Sequence, residues 1–210
     1  MNIHDIYGIF MKRFRPKRAN YIGDKFPLLN NPESTVLDVG GGFYPWEILQ
    51  PKAHIKILNL IQPTNIPQDC PWEFVEGDGT NLQYADQSFD LVFSSSVVEH
   101  VGDWLTQQTF VKEMLRVGKK IYFQTPNKWF PVEPHLITLF IHWFPFSITR
   151  RLIRYFSVWG LVNKPSQSRI DEFWSSTRLL TRSEVQALFP DCEIQNECVL
   201  GLTKSFIVVR

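Results

Sequence analysis

The 210-residue sequence predicts one α/β domain, a mostly parallel β-sheet covered by helices on both faces. Three observations support this fold class. Short apolar runs rich in β-branched and aromatic residues alternate with stretches of helical periodicity. A long amphipathic helix is predicted between the fourth and fifth runs, where a parallel crossover needs one. The chain also ends on two apolar runs joined at Gly201, which favours a C-terminal antiparallel hairpin.

The predicted elements follow in a regular order. The runs predict five successive strands at 35–39, 54–60, 72–75, 89–93 and 120–124, and the hairpin strands at 192–200 and 205–209. Apolar residues at helical spacing predict a helix over 104–117 that Gly118 ends. Thr181 and Glu184 have the spacing of a capping box, which predicts a helix ending before Pro190.

Residues 127–170 differ from the rest in composition and predict an insertion after the fifth strand. The segment is rich in aromatic residues and carries Arg150, Arg151 and Arg154. Its apolar content argues against disorder, and a long connection in a compact domain commonly forms a lid or binding surface. The uncharged run 136–149 is too short to cross a bilayer, which takes about 18 to 20 residues. We expect a helical cover over the substrate side of the cleft.

Composition restricts the partners and the compartment. A net charge of +1 argues against a broad nucleic-acid-binding surface. Cys70, Cys192 and Cys198 form neither a CxxC pair nor a disulfide framework, so we expect a reducing, cytoplasmic setting. Residues 1–26 form an apolar and then basic segment without signal-peptide character. It predicts either peripheral contact with an anionic membrane or glycan, or an ordinary solvated basic helix.

A glycine-rich loop follows the first strand. Asp38 precedes Gly40, Gly41 and Gly42, and glycines here let the backbone approach a ligand closely. The alternative is a turn that binds nothing. A nicotinamide-binding loop would have a third glycine where this chain has Pro45, which weakens a dehydrogenase interpretation.

With these motifs in order, the sequence resembles the class I S-adenosylmethionine-dependent methyltransferases of the methyltransferase type 11 branch. TVLDVGGG resembles the first motif of that family, and GDGTNLQYADQSFDLVFSSSVVEHV resembles the third and fourth. Thr125–Asn127 resembles the segment after the fifth strand, so the likeness covers most of the chain outside the N-terminus and the insertion. It implies a Rossmann-like fold with a seven-stranded sheet and S-adenosylmethionine as cofactor.

The resemblance also implies the cofactor contacts. Asp38 and the backbone of Gly40–Gly42 would hold the methionine end. Asp78 would accept from the adenine amine and Gly79 would reach a ring nitrogen, although the pair could equally be a tight turn. The same resemblance implies that Ser94 also belongs to the cofactor site. Asn59 stands where the family usually has an acidic residue for the ribose hydroxyls, so we expect weaker binding, or a chain that has become a non-catalytic binder.

Two further groups of residues are candidates for the chemical step and for contacts with the methyl acceptor. Glu99 and His100 follow the fourth strand, where they could accept a proton from the methyl acceptor, or could only pack and cap. The insertion adds Asn127, Glu133 and His135 as candidates for acceptor contacts, or as ordinary loop residues. Some ubiquinone-pathway O-methyltransferases add an acidic metal ligand where this chain has Ser96, so the sequence predicts no metal.

The resulting hypothesis is a methyltransferase acting on a small, glycan-like or lipid-linked acceptor. A non-catalytic, cofactor-binding partner protein is the first alternative, and a nicotinamide-dependent oxidoreductase is the second. The sequence does not indicate the oligomeric state or the pathway.

Overall fold

The predicted strands assemble into one seven-stranded sheet in the computed structural model, which describes residues 15–133 and 135–210. The strands are β1 Thr35–Val39, β2 His54–Asn59, β3 Glu73–Glu76, β4 Phe89–Ser95, β5 Gly118–Pro126, and, later in the chain, β8 Glu193–Val199 and β9 Leu202–Val209. The spatial order is β3-β2-β1-β4-β5-β9-β8. The first five strands run parallel, and β9 is antiparallel to β5 with Tyr122 opposite Val209. The mostly parallel sheet with its final hairpin is confirmed.

Helices cover both faces of this sheet. They are α1 (residues 15–25), α2 Trp46–Leu49, α3 Trp104–Val117 and α7 Arg182–Leu188. On one face Phe110 and Met114 of α3 and Val185 of α7 pack against the sheet. On the other face Ile22 of α1 and Trp46 of α2 pack against Val36 and Phe93. This alternation is the period of two along a strand buried on both sides.

The predicted helix limits also hold. Helix α3 begins after Asp103, whose side chain accepts from Thr106 N at 2.9 Å, and ends where Gly118 begins β5. Helix α7 begins with the predicted capping box, in which Thr181 and Glu184 satisfy each other's backbone N–H. Each end provides partners for backbone groups that a helix leaves unpaired.

The insertion folds around a small core of its own. It contains the short hairpin β6 Val132–Glu133 and β7 Thr138–Leu139, then α4 Phe146–Phe156, α5 Val158–Asn163 and α6 Gln167–Ser175. Leu136, Ile141, Ile153 and Ile170 are buried together there. Because α6 continues to Ser175, the inserted unit is longer than the predicted 127–170.

The N-terminal segment differs from its prediction in the part that is described. Residues 1–14, including the apolar stretch and Lys12 and Arg13, lie outside the described residues. Arg18, expected in a solvated basic stretch, is buried and paired with Glu197 at 2.7 Å. This ion pair attaches α1 to the β8–β9 hairpin, so Arg18 is not available to a membrane. In the described part of the chain, no helix is long and apolar enough to cross a membrane.

Candidate functional site

The first strand ends on a buried carboxylate. Asp38 is fully buried, and its Oδ2 accepts a hydrogen bond from Trp46 Nε1 at 2.8 Å. Its Oδ1 has no hydrogen-bond partner among the described residues. Burial raises the pKa of Asp38 to about 8. A buried acceptor without a partner is costly, so a cationic donor arriving at Oδ1 would find a favourable position.

The glycine loop holds its backbone against this carboxylate. Gly40 has a φ of +78°, and a Cβ there would lie 2.4 Å from Val97 Cγ1. A Cβ at Gly41 would lie 1.9 Å from Asp38 Oδ2. At Gly42, by contrast, a Cβ would meet nothing within 4 Å. Two glycines are therefore required by the fold, and the third faces open space.

A cleft of about 410 Å³ opens beside the loop, within the size range of small-molecule sites. It is lined by Arg15, Asp38, Gly40, Gly41, Gly42, Phe43, Tyr44, Glu47, Phe93 and Ser95. The cleft brings together the four residues predicted for the methionine end. The other predicted cofactor residues, Asn59, Asp78, Gly79 and Ser94, are not in its lining.

Asn59 supports the loop directly. Its Nδ2 donates to the Gly41 carbonyl oxygen at 3.1 Å, which leaves the amide oxygen as the group that a ribose hydroxyl could reach. The parallel register places Glu76 beside Asn59, at the end of the neighbouring strand. Sequence reasoning did not single out Glu76, because only strand pairing brings this carboxylate to the expected ribose position.

Asp78 and Gly79 lie on a tight turn after β3. Asp78 Oδ1 accepts from Thr80 N at 2.8 Å and from Thr80 Oγ1 at 2.7 Å. Gly79 is required by packing, since a Cβ there would lie 2.6 Å from Phe110 Cε2. These contacts account for both residues without a ligand, so the adenine contact stays a prediction.

The serines that end β4 join a network below the cleft. Ser94 is buried and donates to the Val39 carbonyl at 3.0 Å, which ties β4 to β1. Ser95 and Ser96 each donate to Gln124 Oε1 at 2.9 Å. Arg18 Nη1 reaches the same oxygen at 3.1 Å. Ser95 thus lines the cleft, whereas the hydroxyl of Ser94 makes a hydrogen bond that holds β4 to β1.

Glu99 is a second buried carboxylate with an unsatisfied oxygen. Its Oε2 accepts from Thr125 Oγ1 at 3.3 Å, while Oε1 has no partner among the described residues. Burial raises the pKa of Glu99 to about 7, against the opposing effect of the His135 charge. Glu99 also fixes the return of the insertion, because its carbonyl accepts from Arg178 N at 2.7 Å.

The insertion places a histidine directly against this position. His135 Nε2 lies 3.1 Å from His100 Nε2, and His135 Nδ1 lies 2.7 Å from Glu133 Oε1. Leu136 N donates to the other Glu133 oxygen at 2.6 Å. Burial and the nearby His135 charge lower the pKa of His100 to about 4. For His135, burial lowers the pKa, but the hydrogen bond and charge of Glu133 together with the charge of Glu99 outweigh it, so the pKa is raised.

Four predicted residues from distant parts of the sequence therefore form one polar cluster, which we define as Glu99, His100, Glu133 and His135. Asn127 does not join it. Its Nδ2 donates to the Thr203 carbonyl at 2.8 Å and its Oδ1 accepts from Trp129 N at 3.0 Å. Asn127 thus anchors the start of the insertion to β9. Thr125 lies beside the cluster, where it donates to Glu99. In the sequence, only its place at the end of the fifth strand could have indicated this position.

Comparisons with known proteins agree with this architecture. Residues 54–121 match the model of a methyltransferase domain family of type 11, a segment that includes Asn59, Asp78, Ser94, Glu99 and His100. A comparison with curated proteins finds no sequence match.

Solved structures with the same fold have low sequence identity to the chain. One is a proposed S-adenosyl-L-methionine-dependent methyltransferase from Methanococcus maripaludis, with 20% identity over 99% of this chain and 89% of the other, and a TM-score of 0.51. Another is Haemonchus contortus phosphoethanolamine N-methyltransferase 2 in complex with S-adenosyl-L-methionine, with 14% identity over 86% of this chain and 38% of the other, and a TM-score of 0.53. A third is a proposed zinc-dependent alcohol dehydrogenase from Rhodobacter sphaeroides, with 12% identity over 93% and 96% and a TM-score of 0.55.

At these identities the structures establish only the fold, and the family match adds a likeness to methyltransferase domains over residues 54–121. The matched segment runs from β2 into β5, within a sheet of the expected order. The glycine loop and its carboxylate precede that segment in the expected place. Residues 54–121 thus match a methyltransferase domain within a sheet of Rossmann-like order, which is consistent with S-adenosylmethionine as the cofactor.

Proposed function

We propose that the chain transfers the methyl group of S-adenosylmethionine to an oxygen or nitrogen atom of a small acceptor, held between the glycine loop and the insertion. The observation that carries this proposal is the polar cluster, in which the insertion brings Glu133 and His135 onto Glu99 and His100. The cluster lies at the carboxyl edge of the parallel strands, where such sheets bind ligands. Val97 connects it to the cofactor loop, since that side chain abuts Gly40.

The cluster provides the polar contacts that an acceptor atom needs. The sulfonium already activates the methyl group, so the protein chiefly aligns the acceptor and receives its proton. Among the described residues, Glu99 Oε1 is a buried acceptor without a partner, and His100 is next in the chain and exposed. An acceptor hydroxyl or amine could donate to either group.

The surface of the insertion supports an acceptor with an apolar, lipid-like part. Trp129, Phe140 and Trp143 form an exposed aromatic patch, with Trp143 ring centroids 6.2 Å from Trp129 and 4.8 Å from Phe140. Such amphipathic rings favour boundaries between water and lipid. Arg151 and Arg154 are exposed on α4, whereas Arg150 is paired with Asp171. Two arginines thus remain at the surface for an anionic headgroup.

The test removes the insertion while keeping the cofactor half. Asn127 and Leu180 form a β-bridge, and Lys128 N donates to the Leu180 carbonyl at 2.9 Å, so the ends to be joined are adjacent. Replacing residues 129–176 by a short Gly-Ser linker removes all four buried residues of the insertion core and leaves both sheet cores complete. We expect S-adenosylhomocysteine affinity close to that of the full chain, measured by calorimetry, and loss of methyl transfer.

Methyl transfer is measured as S-adenosylhomocysteine release with soluble hydroxyl and amine compounds and with anionic phospholipid vesicles. Turnover by the full chain that the linker variant lacks supports the proposal. Turnover that survives the replacement contradicts it. Cofactor binding by the full chain with no turnover on any of these acceptors would favour the non-catalytic partner protein instead.

A further inference from the structure

We propose that Glu99, His100 and His135 bind one divalent transition-metal ion of the zinc class. One ligand atom from each of these residues lies within 4.8 Å of the others. Two histidines with one glutamate are a known catalytic zinc ligand set, which leaves a fourth position for water or substrate. Ser96 provides no carboxylate near Glu99 and His100 in the sequence, but the fold brings His135 of the insertion to them as a third ligand.

The distance between the histidines fits a shared ion. Zinc–nitrogen bonds of about 2.0–2.1 Å in a tetrahedral site place two ligand nitrogens about 3.3 Å apart. His100 Nε2 and His135 Nε2 are 3.1 Å apart, and their rings meet edge to face at an interplanar angle of 81°. The two nitrogens are thus close enough to share one ion in place of their mutual hydrogen bond, and side-chain rotations would bring in the carboxylate.

Glu99 provides an independent indication of a ligand. It is fully buried, and its Oε1 has no hydrogen-bond partner within the described parts of the chain. Its Oε2 accepts from the hydroxyl of Thr125 at 3.3 Å, a long bond for two oxygens. Buried charges in proteins are normally paired or coordinate metals. An ion between Glu99 and the histidines would satisfy this oxygen.

Glu133 behaves as the outer partner of a metal-binding histidine. His135 Nδ1 bonds to Glu133 Oε1 at 2.7 Å, which leaves Nε2 as the nitrogen with a lone pair for an ion. Leu136 N holds the second carboxylate oxygen at 2.6 Å, so the whole unit is oriented. A carboxylate on the far nitrogen fixes the tautomer and raises ligand basicity, and its loss commonly costs 10-fold to 100-fold in metal affinity.

A bound ion would join two parts of the fold. Glu99 and His100 follow β4 in the sheet domain, whereas His135 belongs to the insertion. The ion would therefore fasten the insertion over the cleft, and its open position could take an oxygen of the acceptor. That second role depends on the proposed methyl transfer, but metal binding itself does not.

Calorimetric titration of metal-free, full-length protein with Zn²⁺, without cofactor or acceptor, tests the site. We expect one equivalent to bind, Glu133→Gln to weaken the affinity about 10-fold to 100-fold, and His135→Ala to weaken it further. His54→Ala is the matched control, because His54 is exposed at the start of β2. Its affinity should equal that of the unmodified chain. Substitution with Co²⁺ should show the visible absorption of a four-coordinate ion.

Absence of stoichiometric zinc binding overturns the proposal, as does equal affinity in His135→Ala and the unmodified chain. If His135→Ala is unfolded by circular dichroism, Glu133→Gln decides, and unchanged affinity there overturns the proposed outer partner and the site with it. A chain that binds zinc but transfers no methyl group would refute the proposed function and leave this site standing.

Discussion

The polar groups around the glycine loop and those on the insertion side have different kinds of partner. Around the cofactor loop, the polar side chains already serve the protein: Asp38 accepts from Trp46, Asn59 donates to Gly41 and Ser94 donates to Val39. On the insertion side, polar groups converge on one position, and the exposed surface is aromatic. The first half is a framework that presents backbone to a cofactor, with Asp38 Oδ1 as an acceptor that has no partner among the described residues. The second half has binding capacity directed at a further ligand.

The cores show the same division. The buried residues that cover the two faces of the sheet include none from the insertion, and the insertion buries its own small cluster. The two parts therefore have separate buried cores. A change within one core should leave the function of the other half in place.

The largest expected effect is a loss of stability that stays within the insertion core. Ile153→Ala removes the centre of the insertion core and should destabilise that unit by about 2–5 kcal/mol, through lost burial and the cavity left behind. Hydrogen exchange should accelerate within residues 136–174 while S-adenosylhomocysteine affinity stays unchanged. Leu37→Ala in the sheet core is the matched change and should lower global stability in urea. Loss of cofactor affinity in folded Ile153→Ala would show that the halves are one cooperative unit.

A smaller effect concerns acid stability of the cofactor half. Burial alone would raise the pKa of Glu197, but the hydrogen bond and charge of Arg18, with Lys204 and Ser205, outweigh it and lower the pKa to about 2. In the unfolded chain the pKa returns to about 4.5. Because the folded pKa is the lower, the stabilisation is complete above about pH 4.5 and is lost as the pH falls towards 2.

The variant Glu197→Gln should remove this part of the pH dependence and cost about 1–3 kcal/mol at neutral pH, since Arg18 stays buried. Urea unfolding at a series of pH values measures both. Glu193→Gln is the control, because Glu193 pairs with Lys25 at the surface. An unchanged acid slope in Glu197→Gln would mean that this ion pair does not hold α1 to the sheet.

The smallest expected effect is at the ribose position. The sequence alone predicts tighter cofactor binding for Asn59→Asp, because a carboxylate strengthens bonds to hydroxyls. The structure reverses that expectation. The substitution removes the bond to the Gly41 carbonyl and places a second carboxylate beside Glu76. We expect affinity for S-adenosylhomocysteine to fall by about 1 kcal/mol, measured by calorimetry.

A double variant sharpens this comparison. Adding Glu76→Gln to Asn59→Asp removes the like-charge pair, so part of the lost affinity should return. Glu76→Gln alone serves as the reference. Tighter binding in Asn59→Asp would instead show that the amide does not support the loop.

Sequence reasoning succeeded wherever a local pattern has one physical meaning. The limits of β1 and α3 follow from β-branched runs, helical spacing and capping, all within a few residues. The predicted end of the insertion, Ile170, falls inside α6, which continues to Ser175. Helical spacing continues through that boundary, so nothing local marks it. The role of Arg18 also escaped sequence reasoning, because its partner Glu197 is 179 residues away.

The sequence by itself determined the α/β order, the glycine loop and the family that these motifs resemble, because each depends on neighbours along the chain. Only the tertiary structure decided what the polar residues contact. Folding places Glu76 beside Asn59 and His135 beside His100, and it buries Arg18 against Glu197. Periodicity indicates that a residue faces inward, but the partner it meets depends on strand order and on where the insertion returns. That is why the glycine loop could be predicted by motif, whereas the cluster of Glu99, His100, Glu133 and His135 required the fold.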